Sequence, residues 1–133
     1  MDNVGGRRIY FDTDDVVDAL LGKRITDRVL IKSSLYIEDL AMNFGVRPER
    51  IAHPVPFKIA RLAMCYALMM AALESSRMAS NGEQDGADAY ELKRRVFAAE
   101  IKDIEGQLSA DTFTNGQSAI SAVCPMTIPV LRG

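Results

Sequence analysis

The single histidine, His53, is the one side chain of this sequence whose ordinary titration falls near neutral pH, which suits it to proton transfer. It stands in the run VRPERIAHPVP, among Pro48, Pro54 and Pro56. General acid–base work needs an orienting partner and a pocket. The run supplies neither, and His53 reads as a surface or capping residue of a connector. The two cysteines sit in unlike settings: Cys65 lies in the apolar run AMCYALMM, as a small core residue would, and Cys124 lies near the C-terminus. One histidine and two dispersed cysteines cannot assemble a structural zinc set. Carboxylates cluster at Asp12, Asp14 and Asp15 and again at Glu38 and Asp39. The first cluster suits a helix N-terminus, where negative charge meets the positive end of the dipole. The second suits an outer helix face, and neither has calcium-loop spacing. No phosphate-cradling glycine loop, dinucleotide fingerprint or nucleophile elbow occurs. These absences predict a protein that is not an enzyme and needs neither cofactor nor metal.

The charge balance speaks against nucleic acid as the main partner. Duplex binding calls for a concentrated basic face, whereas the formal net charge is -2 and the pI is near 5.4. The basic clusters Arg7-Arg8, Lys23-Arg24 and Lys93-Arg94-Arg95 each lie near acids and read as solvated faces or caps. A small helical DNA-binding regulator remains an alternative, because Gly22 could form the turn of a helix-turn-helix with Lys23, Arg24, Arg28 and Lys32 nearby. Against it, the following helix carries an apolar stripe that must be buried, which leaves few positions to read bases. A disulfide between Cys65 and Cys124 is possible but unsupported, so a reducing compartment is expected. The start MDNVGGRR has no apolar run behind its arginines, so no secretory leader is expected.

The elements that would position these residues are helical. After Gly5-Gly6 and a β-prone Ile9-Tyr10-Phe11, Asp12 or Thr13 can cap a short helix over DDVVDALLG, with Gly22 ending it in the left-handed conformation. A second helix is predicted over residues 27–44, with Leu30, Ile37, Leu40, Ala41 and Phe44 on one stripe and Gly45 closing it. The three prolines then forbid a continuous helix. Pro56 suits the first turn of a third helix over residues 57–79, FKIARLAMCYALMMAALESSRMA. Its apolar residues lie on nearly every side, the mark of a helix surrounded by others, and they place Met64, Met69, Met70 and Met78 in the core. A polar loop, SNGEQDGAD, leads to a fourth helix over residues 88–108 with Tyr90, Phe97, Ile101, Ile104 and Leu108 facing inward. The expected fold is an all-α bundle of about four helices, two of them long, over residues 1–111.

Residues 112–131 then carry no charged side chain, although charged residues make up 26% of the chain. Asn115, Gly116, Gln117, Pro125 and Pro129 interrupt the stretch, so it is not a membrane span, and the two prolines make it a poor helix. It reads as an extended, non-helical arm over residues 112–133 that docks on another protein through Phe113, Ile120, Val123, Met126, Ile128, Val130 and Leu131. Burying these side chains does not by itself offset the entropy of ordering the arm. The host must add backbone hydrogen bonds, most simply by taking the alternating segment SAISAV (residues 118–123) as an extra strand.

The order of these parts, over residues 10–108, resembles the head-to-tail connector (adaptor, or head-completion) proteins of long-tailed bacteriophages. The resemblance is carried by DTDDVVDALLG, by IEDLAMNFGV followed by RIAHPVP, by PFKIARLAMCYALMMAA, and by DAYELKRRVFAAEIKDIEGQL after a Gly/Asp-rich loop. It is a likeness of organisation, shared in texture with tail-terminator and tail-completion factors. It implies a dodecameric ring under the portal that joins capsid to tail, a C-terminal arm that holds the portal protein, a further neck or tail-completion protein as neighbour, and DNA only as cargo in the lumen. It implies a place at the head–tail junction of the virion, after synthesis in the bacterial cytoplasm, and no membrane. A ring also needs complementary lateral surfaces, for which the charged face of the fourth helix, Lys93, Arg94, Glu100 and Lys102, is the candidate.

Overall fold

The computed structural model describes residues 3–79 and 84–115. Its first element is a small hairpin, β1 (Asn3–Val4) against β2 (Arg7–Arg8), antiparallel with Asn3 opposite Arg8 and Val4 opposite Arg7. The turn needs positive φ at both central positions, which Gly5 (φ 58) and Gly6 (φ 76) adopt without a Cβ penalty. Ile9, Tyr10 and Phe11 follow, all buried.

The helix expected over DDVVDALLG does not form. The segment makes a single 3-10 turn at Thr13–Asp15, runs extended at Val16 (φ -77, ψ 114), and makes a second 3-10 turn at Gly22–Arg24. The aspartates explain this. Asp12 accepts from the Asp14 N–H at 2.9 Å and Asp18 from the Leu21 N–H at 2.8 Å, so side chains take donors that a helix would use. The β-branched pair Val16-Val17 adds little helical preference. Gly22 opens the second turn instead of ending a helix. Only Leu21 of this stretch is fully buried, while Val17 is 94% exposed.

Helix α1 (Asp27–Asn43) starts where the sequence places it, at Thr26, whose hydroxyl accepts from the Val29 N–H at 3.3 Å. It ends in a Schellman motif: Val46 N–H donates to the Ala41 carbonyl and Gly45 N–H to that of Met42, both over 2.9 Å, with Gly45 at φ 80. Helix α2 (Phe57–Ala79) is the central element. Ile59, Leu62, Ala63, Cys65, Ala67 and Leu68 are buried on it, α3 (Gln84–Glu105) packs along most of its length, and α1 packs on it more briefly. Helix α3 begins four residues before the predicted Asp88, within the stretch read as loop. Its inward residues are Tyr90, Ile101 and Ile104, with Phe97 partly buried beside them.

A fourth helix, α4 (Ala110–Thr114), occupies the start of the stretch read as an extended arm. Ser109 and Thr112 form a reciprocal capping box, with Ser109 N–H donating to the Thr112 hydroxyl at 3.1 Å. Phe113 is wholly buried, its ring centroid 5.8 Å from that of Phe44, and its carbonyl accepts from the Ala52 N–H at 2.9 Å. Phe113 is therefore a core residue and not an arm anchor, and the helical unit extends past Asp111 to Asn115, whose φ of 55 ends α4. The described residues form a small all-α bundle of four α-helices with one two-stranded hairpin.

Candidate partner-binding surface

The side chains with chemical capacity are mostly engaged in holding this bundle together. Arg8 donates to the carbonyls of Ile51 (3.3 Å) and Ala52 (3.2 Å), lies 3.4 Å from His53 Nδ1, and stacks 4.7 Å from the Tyr10 ring centroid. His53 thus borders a guanidinium whose task is to pin the proline-rich connector to the hairpin. Glu38 accepts from Arg7 at 2.6 Å and from the Tyr10 hydroxyl at 2.9 Å, which ties the hairpin to α1. Burial, reinforced by this carboxylate, drives the Tyr10 hydroxyl far above its ordinary titration range. Tyr36 stacks on Tyr66 with centroids 4.2 Å apart and donates to Glu105, a polar link from α1 to α3. Burial pushes the Cys65 thiol up to about 12, with the Glu100 carboxylate adding to the effect, so Cys65 is an inert core residue.

The four residues expected at a subunit boundary divide. Lys93 pairs with Asp18 at 2.7 Å, Arg94 with Glu91 at 2.6 Å, and Glu100 receives Arg61 in a two-pronged contact of 2.5 and 3.0 Å. Lys102 is exposed. Burial raises the Asp18 carboxyl, but the Lys93 ammonium and the Leu21 N–H more than offset it and leave it below the usual carboxylate range. The Arg61 guanidinium likewise holds Glu100 low. Lys93 and Glu100 therefore bind within the chain, and Lys102 is the member of the set left to face outward.

These two internal ion pairs border a groove that the sequence did not reveal. With residues 12–22 irregular, Val17 and Leu20 stand beside Met64 and Leu68 of α2 and Phe97 of α3 around a cavity of about 610 Å³. An adjoining hollow of about 300 Å³ shares Asp15, Arg61 and Met64 with it and is bounded by Phe11 and Phe57. Phe57 is 82% exposed. The groove is apolar, and its two cations, Arg61 and Lys93, are already answered by carboxylates. Read as a helix, DDVVDALLG hid the site. The signal it carried was a pair of adjacent valines in an acidic run, only one of which a short amphipathic helix could bury.

The other residues expected to dock on a partner, Ile120, Val123, Met126, Ile128, Val130 and Leu131, lie outside the described residues, as does Cys124. Among the described residues, no group of three His, Cys, Asp or Glu side chains could hold a metal ion, and no helix is long and apolar enough to cross a membrane.

Comparison with models of known families, with curated proteins and with solved structures finds nothing that matches this chain.

Proposed function

We propose that this chain is a structural virion protein, a head-to-tail connector that forms a ring under the portal protein and joins capsid to tail. One observation carries the reading: a small helical bundle is closed by a capped helix and a left-handed Asn115, and the sequence beyond is apolar and uncharged as far as Leu131. A stretch of that composition stays soluble by covering itself with protein, and a neck ring offers it a portal on which to lie.

A second feature supports assembly into a ring. Leu35 and Met42, 42% and 53% exposed, sit two turns apart on α1, and Leu92 and Val96, 65% and 56% exposed, sit one turn apart on α3. Two unlike apolar faces on different helices suit head-to-tail contact between copies, the kind that closes into rings. In this reading twelve copies enclose a lumen through which DNA passes as cargo, a further neck or tail-completion protein lies below, and the site of action is the head–tail junction.

The test is co-sedimentation with portal rings from the same source, comparing the full chain with a version ending at Asn115. Ending the shorter chain at Asp111 would remove Phe113 from the core and confound the result. Binding lost on truncation supports the connector reading with the arm as the contact. Failure of both forms to bind, or salt-sensitive duplex binding by both, would replace it with a tail-completion factor or a DNA-binding regulator respectively.

A further inference from the structure

We propose that the apolar groove between residues 16–21 and helices α2 and α3 is the resting place of this chain's own C-terminal stretch, residues 116–131, held in the same molecule. The groove carries an unmet demand for apolar cover: Val17 at 94% and Phe57 at 82% exposure flank hollows that both reach Met64. Side chains that large are seldom left so open on both sides of one depression.

The chemistry of the groove selects among occupants. Arg61 and Lys93 are its cations, and Glu100 and Asp18 already neutralise them at 2.5 and 2.7 Å. An acidic peptide would have to break those pairs, and a basic one would find only the exposed Asp15 carboxylate outside them. An uncharged segment with bulky apolar residues fits without disturbing either pair. Residues 116–131, with Ile120, Val123, Met126 and Ile128, are such a segment.

Its point of departure is also correct. The carbonyl of Phe113 is bonded to the Ala52 N–H, and Phe57 is five residues along the chain from Ala52. Five residues span at most about 18 Å, and the eight from Asn115 to Val123 span up to about 28 Å. The segment can therefore reach Phe57 and the groove without moving the bundle. A tether this short gives an effective concentration in the millimolar range, so even a contact of millimolar affinity is about half occupied. A partner then binds the arm by taking it from the groove, which keeps the apolar stretch covered until that partner arrives.

The experiment uses the full chain and its own tail thiol. Val17→Cys places a second reactive thiol at the lip of the groove, on a side chain exposed enough to be replaced without cost to the fold. Lys102→Cys, exposed on a different face of α3, is the control. At low micromolar protein in oxidised glutathione, the disulfide from Cys124 to position 17 should form at least tenfold faster than that to position 102, as a monomeric product. Adding Ile120→Asp and Val123→Asp, which follow Asn115 in the sequence, should bring the faster rate down to the control. Equal rates at the two positions overturn the proposal. A dimeric product overturns it too, by giving the groove to the arm of a second copy. None of these outcomes involves a portal, so the assignment can fail while the connector reading stands, and the reverse.

Discussion

The Ala52 N–H and the Phe113 carbonyl are 2.9 Å apart, and that one bond joins the proline-rich connector to the last turn of the bundle. Around it Phe113 fills a space bounded by Phe44 and is fully buried. Replacing Phe113 by alanine removes a ring from a packed core, where such truncations cost about 3–5 kcal/mol. Urea unfolding followed by far-UV circular dichroism should show the midpoint lowered with an unchanged slope. An arm residue would leave the midpoint where it was.

Gly45 is the second position where a single change should be felt. Its φ of 80 is needed for the Val46 N–H to reach the Ala41 carbonyl, and nothing lies within 4 Å of where a Cβ would stand. The cost of Gly45→Ala is therefore conformational and not steric, about 1–2 kcal/mol. Gly45→Asn, which tolerates the left-handed region, should recover much of that loss in the same unfolding experiment.

These two positions mark how far the sequence could be read. Helices α1 and α2 were legible because their caps and periodicity agree: Thr26 before α1, Gly45 after it, and Pro56 before α2. Residues 12–22 were not, since Asp12 and Asp18 accept from the N–H groups of Asp14 and Leu21 that helix formation would use, and the β-branched pair Val16-Val17 adds little helical preference. Helix α4 was missed because Ser109 is followed three residues later by Thr112 in place of the Glu or Gln of the familiar capping box. The same Thr112 opens the uncharged stretch, which made the end of the core look like the beginning of an arm. The groove depends on the irregularity of residues 12–22 and so could not be foreseen without it.

The pair Asp18–Lys93 holds the irregular segment to α3, and its contribution should depend on pH. The folded carboxyl titrates below its unfolded value, so the stabilisation is present above the ordinary carboxyl range and is lost as the pH falls through the lowered folded value. Asp18→Asn should cost about 1 kcal/mol at neutral pH, a partly exposed pair being worth little more. In acid the two proteins should converge. Denaturant midpoints for both, measured across the acid range, check the sign: a gap that widens as the pH falls would contradict it.

Cys65 should be silent toward thiol reagents while the bundle is folded. Its side chain is buried and its titration is pushed up to about 12, so at mildly alkaline pH almost none of it is thiolate. Titration with a chromogenic disulfide in native buffer should leave Cys65 unmodified, as read by mass spectrometry of its peptide. The same peptide should be fully labelled once denaturant is added.

Charge reversal on α3 separates the fold from assembly. Lys93→Glu sets a carboxylate against Asp18 in the pair that fastens residues 12–22, so it should destabilise the monomer and blur any effect on association. Lys102 is exposed, and Lys102→Glu should leave the unfolding midpoint within about 0.5 kcal/mol of the parent. If α3 meets a neighbouring copy in the ring, that same change should weaken self-association, most at low salt and least at high salt, because exposed charges are screened within a Debye length of about 8 Å at physiological ionic strength. Sedimentation velocity at two salt concentrations reads the association, and urea unfolding of the same preparation reads the midpoint. Unaltered association at low salt would remove Lys102 from the subunit boundary and leave lateral contact to the apolar faces of α1 and α3.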